Sequence, residues 1–135
     1  MSTKLVVGKD KEVGAWLFEQ VGAEPRDFDM AVGIADEEGN LMGGFMFTDY
    51  DGDTIEAHFY GPGTMTRRAV SALFRIARDG FNARLVIAHA NKESIARGLK
   101  KIGATFVGET DNTGGRFGEF HFNRPTIERW AAMRG

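Results

Sequence analysis

The sequence contains no cysteine in its 135 residues, which removes disulfide frameworks, thiolate metal sites and cysteine nucleophiles. It also lacks a charge excess of one sign. Seventeen Lys and Arg stand against nineteen Asp and Glu, a formal net charge of −2. A wholesale nucleic-acid footprint, which shows as a basic excess, finds no support in that balance. No apolar run approaches the roughly 18 residues of a membrane-spanning helix. The short apolar run near Leu5 is too brief for a secretory signal. The chain is therefore expected to be cytoplasmic, with no membrane partner. Tyrosine is scarce, with two copies.

What the sequence has in quantity is glycine, 18 residues, and phenylalanine, 11, a composition that suggests tight turns and aromatic-rich strands. The length fits one domain spanning 1–135, large enough to bury a core without staples. Lys4 to Lys9 reads as a strand. Asp10 is placed to cap a helix whose Val13, Trp16, Leu17 and Val21 keep the spacing of one buried face, with Gly22 as its stop. Loop 23–29 precedes strands over 30–36, 41–48 and 54–60. Asp51-Gly52 is a hairpin dipeptide, and the three strands should pair antiparallel. After Gly61-Pro62-Gly63, a helix over 66–79 buries Ala69, Val70, Leu73, Ile76 and Ala77, with Thr64 or Thr66 as cap and Gly80 as stop. The apolar core of strand 84–90 implies cover on both faces. Strand 54–60, this helix and strand 84–90 then make a parallel βαβ crossover. A helix over 92–102 turns Ile95, Leu99 and Ile102 inward. Strand 104–108, a loose turn at 111–115, strand 117–123 and a helix after Pro125 carrying Ile127, Trp130 and Ala131 complete the chain. The fold class is α/β, a mixed and mostly antiparallel sheet with one parallel crossover.

Glycines 61 and 63 permit close backbone approach, and the helix beyond them offers free N–H groups and a positive dipole end to an anion. Thr64 and Thr66 add hydroxyls, and Arg67 and Arg68 add charge. The plain alternative is a capped helix with solvated arginines. Glu56, His58 and Tyr60 alternate on one strand and share a face. A carboxylate or imidazole on such a face can serve as a base, Glu56 being the first candidate and His58 the second; a polar outer sheet face is the competing reading. Asn91 and Ser94 lie at the start of the next helix, where capping also explains them. The three histidines, His58, His89 and His121, have no close-spaced ligand pair, and no metal is assigned. Arg75, Arg78 and Arg84 join Arg67 and Arg68 around the crossover helix, where a nucleic-acid reading would use them for phosphates; a solvated helix face explains most. The acidic residues Glu24, Asp27, Asp29, Asp49, Asp51 and Asp53 can welcome a cationic amine or simply solvate turns. Exposed edge strands allow a homodimer.

The stretch Leu85–Phe106, with Asn91 and Ser94 after a strand and Lys100-Lys101-Ile102-Gly103 before the next, resembles the GCN5-related N-acetyltransferases. Ile55–Val70 falls where that superfamily places its pyrophosphate loop, although Gly-Pro-Gly and Thr-Met-Thr-Arg-Arg depart from its usual Gln/Arg-x-x-Gly-x-Gly/Ala. The Asn-to-Gly spacing is one residue longer than the common form, and loop 23–29 stands for one of two usual first helices. The variant loop resembles small phage-borne members. The resemblance implies acetyl-CoA as cosubstrate, held by Phe59, Tyr60, Gly61, Gly63, Thr64, Met65, Thr66, Arg67, Arg68, Asn91 and Ser94. It also implies direct acetyl transfer to an amine acceptor. The superfamily's tyrosine acid falls on Leu99, so either solvent protonates the thiolate or the chain does not catalyse thioester aminolysis. Alternatives on the same scaffold are a binding or virion-associated protein without transferase activity, and a nucleobase-modifying enzyme.

Overall fold

A computed structural model of the chain describes residues 3–112 and 115–133. Within them one sheet of seven strands runs in the order β1-β2-β3-β4-β5-β7-β6. The strands are β1 (Lys4–Val6), β2 (Met30–Ala35), β3 (Leu41–Thr48), β4 (Thr54–Tyr60), β5 (Leu85–Ala90), β6 (Thr105–Asn112) and β7 (Gly115–Asn123). Four helices accompany them: α1 (Asp10–Val21), α2 (Arg67–Arg75), α3 (Glu93–Lys101) and α4 (Arg124–Ala131). Every neighbouring pair is antiparallel except β4 and β5. The mixed α/β class expected from the sequence is the one observed.

Strand alternation divides the core between the two faces of the sheet. On one face Phe45, Phe47, Ile55, Val86, Phe120 and Phe122 meet Leu73 and Phe74 of α2 and Ile127 of α4, all essentially inaccessible to solvent. Burying one such side chain is worth roughly 1.5–3 kcal/mol. Ser71 ties α2 to the chain end by donating to carbonyls of Trp130 and Met133. On the other face α1 lays Val13, Leu17 and Phe18 over Ala31 and Met46. Helix α1 covers β2 and β3, and β4, β5 and β7 are left with a polar row on that side.

Several sequence expectations are corrected here. The first strand ends at Val6, and Asp10 is the first residue of α1 rather than its cap; Lys9 holds the cap position without a side-chain bond. Val21 is 57% exposed because the last turn of α1 overhangs the covered strands. Ile95 is 37% exposed, since α3 turns it toward a cleft. Helix 66–79 is α-helical only to Arg75 and continues as a π turn over Ile76–Gly80. Strand β5 is fully buried on one face only: Val86, Ala88 and Ala90 are covered, Leu85, Ile87 and His89 partly. Strand β6 runs through the predicted 111–115 turn as far as Asn112, and β7 begins at Gly115; Thr113 and Gly114 lie outside the described residues. The register of β3 and β4 sets Thr48 opposite Glu56, whereas a two-residue Asp51-Gly52 turn would pair Thr48 with Ile55. The turn is one residue wider, closed by Asp51 N–H to the Thr54 carbonyl and by the Asp51 carboxylate accepting from Asp53 and Thr54 N–H groups.

The segment after β4 folds back on β3. A Cβ on Gly43 would stand 2.7 Å from the Tyr60 carbonyl and 2.8 Å from that of Pro62, and one on Gly61 2.5 Å from the Met42 carbonyl. Gly61 also has φ +82°, a conformation that favours glycine. Gly98 on α3 meets nothing within 4 Å. Gly43→Ala is expected to destabilise the fold because backbone, not a flexible side chain, must move. Gly98→Ala should stabilise it by about 0.5–1 kcal/mol through helix propensity. Urea unfolding of both variants beside the parent checks the opposite signs.

Candidate functional site

The sheet opens where β4 and β5 part. Their parallel ladder holds only Thr54 with Leu85, Ile55 with Val86 and Glu56 with Ile87. Beyond it β4 stays with β3 as far as Tyr60 opposite Gly44, while β5 stays with β7 as far as Ala90 opposite Gly118. Ala57–Tyr60 and Ala88–Ala90 therefore border a cleft at the carboxyl ends of two parallel strands, the place where open α/β sheets take ligands.

One side of the cleft is a pocket of about 240 Å³ lined by Tyr60, Gly61, Thr64 and Met65 from the β4–α2 connection and by Ser94 and Ile95 of α3. Phe59 lines it as well. Ser94 is thus brought to the loop after β4; Asn91 opens onto a separate concavity beside Lys92, Lys100 and Phe106. Neither residue caps α3, whose cap position is Lys92. In the loop, the Thr64 hydroxyl donates to the Gly61 carbonyl, and the Thr66 hydroxyl donates to the Gly63 carbonyl while accepting from Ala69 N–H. Both hydroxyls are taken up in bracing the loop. The N–H groups of Arg67 and Arg68 open α2 with no partner among the described residues. Arg67 is exposed, and Arg68 donates to the Thr3 carbonyl. The loop offers an anion backbone N–H groups, the helix dipole and Arg67.

On the opposite side a second pocket of about 300 Å³ shares Phe59 and Tyr60 with the first and is walled by Leu17, Phe18, Met46 and His58. Tyr60 meets Trp16 edge-on, ring centres 5.9 Å apart. Here Glu56, His58 and Tyr60 do share one face, with Thr48 on the neighbouring strand. Thr48 Oγ1 lies 3.0 Å from Asp49 Oδ2 and 2.8 Å from His58 Nε2. The Thr48 hydrogen bond holds Asp49 below its ordinary carboxylate range, so the hydroxyl proton points to Asp49. His58 must then donate through Nε2–H, which leaves Nδ1 as the ring's acceptor. Burial, with the nearby charge of Arg26, lowers the His58 pKa to about 4. Burial and the adjacent Asp49 carboxylate raise that of Glu56. A raised carboxyl is the stronger base of the two near neutrality; the lowered imidazole is the weaker.

The row continues through His89, with Nδ1 3.7 Å from Glu56 and Nε2 3.7 Å from Glu119, to His121 with Nε2 2.6 Å from Glu119. No group of three or more His, Asp or Glu among the described residues is arranged to hold a metal ion. Leu99 is fully buried and does not reach the cleft. No described helix is long and apolar enough to cross a membrane. Sequence reasoning missed Arg26 and Thr48. The signal for Thr48 was the hairpin register, which the Asp-Gly dipeptide misreported by one residue; Arg26, in an irregular loop, left none.

No protein-family model matches the sequence, and no curated protein does. Solved structures match over most of the chain. A spermidine N-acetyltransferase of Vibrio cholerae, in complex with CoA and spermine, aligns with TM-score 0.73 at 8% identity, covering 93% of this chain and 98% of that one. The N-acetyltransferase PseH of Campylobacter jejuni aligns with TM-score 0.63 at 10% identity, covering 90% and 98%. A GNAT-family acetyltransferase of Bacillus anthracis gives TM-score 0.57 at 15% identity, covering 82% and 72%. The fold of this chain is that of the GCN5-related N-acetyltransferases, as the resemblance in its sequence implied.

The two shifted groups make opposite contributions to stability. His58 binds its proton at a lower pH folded than unfolded, so its contribution is complete above about pH 6.5 and is lost as pH falls toward 4. The full span corresponds to about 3 kcal/mol. Glu56, raised by folding, contributes most below the ordinary glutamate range and loses that contribution as pH rises through its folded pKa. His58→Gln should flatten the loss of stability between pH 6.5 and 4. Glu56→Gln should raise Tm at neutral pH and not below pH 4. Thermal unfolding across pH 4–8 reads both.

Proposed function

We propose that this protein is an N-acyltransferase that transfers an acetyl group from acetyl-CoA directly to an amine. The observation that carries the reading is the parting of β4 and β5 after Glu56. It leaves a cleft with an anion-receptive helix start on one side and a raised carboxyl on the other. The donor set suits acetyl-CoA: Met65 and Ile95 offer apolar contact to its arm, Ser94 a hydroxyl, and the N–H groups of Arg67 and Arg68 a seat for pyrophosphate. Gly61, Gly63, Thr64 and Thr66 shape that seat, while Asn91 opens onto the separate concavity beside Lys100 and Phe106. When bound, acetyl-CoA supplies the acetyl group as a thioester.

Glu56 takes one proton from the acceptor ammonium, so that the free amine can attack. In the overall transfer a nitrogen–carbon bond forms and a carbon–sulfur bond breaks. The second ammonium proton reaches the departing sulfur through solvent, since Leu99 is buried and offers no acid. His58, neutral and hydrogen-bonded to Thr48, fixes the Asp49 side of the site. A binding protein without catalysis is the second reading, favoured by the same Leu99.

Calorimetric titration with acetyl-CoA, with dephospho-CoA and ATP as comparators, tests the first half of the reading. Micromolar binding that Arg67→Ala weakens is the expected result; no binding at millimolar cofactor overturns it. With an accepted amine, Glu56→Gln should lower kcat by roughly 10²–10⁴-fold, while acetyl-CoA binding is kept. The parent's rate should rise with pH through the elevated Glu56 titration. Unchanged turnover in the Glu56 variant would remove it as the base.

A further inference from the structure

Four of the six acidic residues that the sequence offers to a cationic amine are engaged elsewhere. Asp51 accepts from the N–H groups of Asp53 and Thr54 and from the Thr54 hydroxyl, closing its own turn. Asp53 pairs with Arg84, and Asp29 accepts from Tyr50 N–H. Asp49 is held by Thr48 and faces Arg26 at 3.7 Å. The two that remain, Glu24 and Asp27, are exposed in the loop that carries Arg26 and do not line the pocket that Arg26 lines.

What leads to Glu56 is apolar. Leu17, Phe18 and Val21 of α1, Met46 of β3 and the Tyr60 ring wall the pocket on the Glu56 face of the sheet. Val21 is an uncovered apolar side chain at its rim, 57% exposed. A cavity of about 300 Å³ lies at the small end of ligand pockets, roughly 300–1,000 Å³. One cation, Arg26, lines the same pocket. Its guanidinium is half exposed, and its 3.7 Å approach to Asp49 is a long, solvated pair that holds it weakly. Its charge acts on this site, for it opposes protonation of His58. A bare ammonium entering beside Arg26 is repelled unless the same molecule also brings an anion. The pocket thus presents a cation and an apolar wall, and Glu56 stands just beyond it, two residues before His58 on the same face of β4 and within reach of the Arg26 charge.

Resting on the acyltransferase reading, we infer that the acceptor is an α-amino acid with an apolar side chain. The side chain fills the space against Leu17, Phe18 and Met46, the carboxylate replaces Asp49 as partner of Arg26, and the ammonium turns to Glu56. A bidentate carboxylate–guanidinium pair supplies orientation as well as affinity.

The test is binding, which does not require turnover. Full-length protein, with and without saturating CoA, is titrated by NMR with L-phenylalanine, L-leucine, phenethylamine, isoamylamine and spermidine. The two amino acids should bind roughly tenfold tighter than the corresponding amines lacking the carboxylate, and spermidine most weakly. Arg26→Gln, on an exposed loop, should fold normally and erase that difference; Met46→Lys should weaken both amino acids. Equal or tighter binding of the bare amines, preference for spermidine, absence of amino-acid binding, or an unchanged ratio in Arg26→Gln overturns the inference. CoA binding is read in the same titrations, so failure of the acyltransferase reading registers separately from failure of the acceptor class.

Discussion

Two strands that part company organise this molecule. Strand β4 is paired with β3 from Glu56 to Tyr60 and β5 with β7 over its whole length, but β4 and β5 bond each other over three residues only. The outer ladders use alternate residues of each strand, so beyond Glu56 and Ile87 the backbone groups that would bond across the middle face the cleft instead. The far end of β4 is held by more than its ladder: Gly43 and Gly61 let the main chain after Tyr60 lie against β3 at distances no Cβ would tolerate. The braces of Thr64 and Thr66 then fix the loop and start α2. Gly43 and Gly61 here serve close approach of the chain to itself.

The electrostatics of the site follow from the same register. Because Thr48 stands opposite Glu56, its hydroxyl reaches both Asp49 and His58. One proton serves two neighbours: it keeps Asp49 ionised and forces His58 to donate. The ionised Asp49 in turn disfavours charge on Glu56. The Thr48 hydroxyl holds Asp49 as an anion, burial keeps His58 a neutral ring, and burial with the Asp49 carboxylate makes Glu56 a reluctant acid. Asp49 adopts a left-handed φ of +56°, which aspartate tolerates better than most residues and which the turn imposes at the point where β3 ends.

Much of the fold was legible because it rests on periodicity. The strands at 41–48 and 54–60, the capped helix after Gly-Pro-Gly and the parallel crossover all follow from patterns of 2 and 3.6 residues. Periodicity failed where an element outruns its cover. Val21 and Ile95 keep helical spacing yet face open space, since spacing reports a helix face and not what lies against it. The π turn at Ile76–Gly80 has no sequence period distinct from a helix. At the site, Glu56, His58 and Tyr60 were readable as one face of a strand, and Ser94 as a neighbour of the loop after β4. Thr48 was not, because a turn one residue wider than Asp-Gly suggests moves every β3 side chain to the other face.

The arrangement also sets a conflict between folding and chemistry. Glu56 is held where burial and Asp49 oppose its charge, so at neutral pH its ionised form is a cost to the folded state. His89, 3.7 Å away and shared with Glu119, and the charge of Arg26 relieve it only in part, since burial and Asp49 outweigh them. An acid held partly against its will is what base catalysis near neutrality requires, because a carboxylate at its ordinary pKa is too weak a base to draw a proton from an ammonium. The same burial that weakens the fold at Glu56 is what raises its basicity.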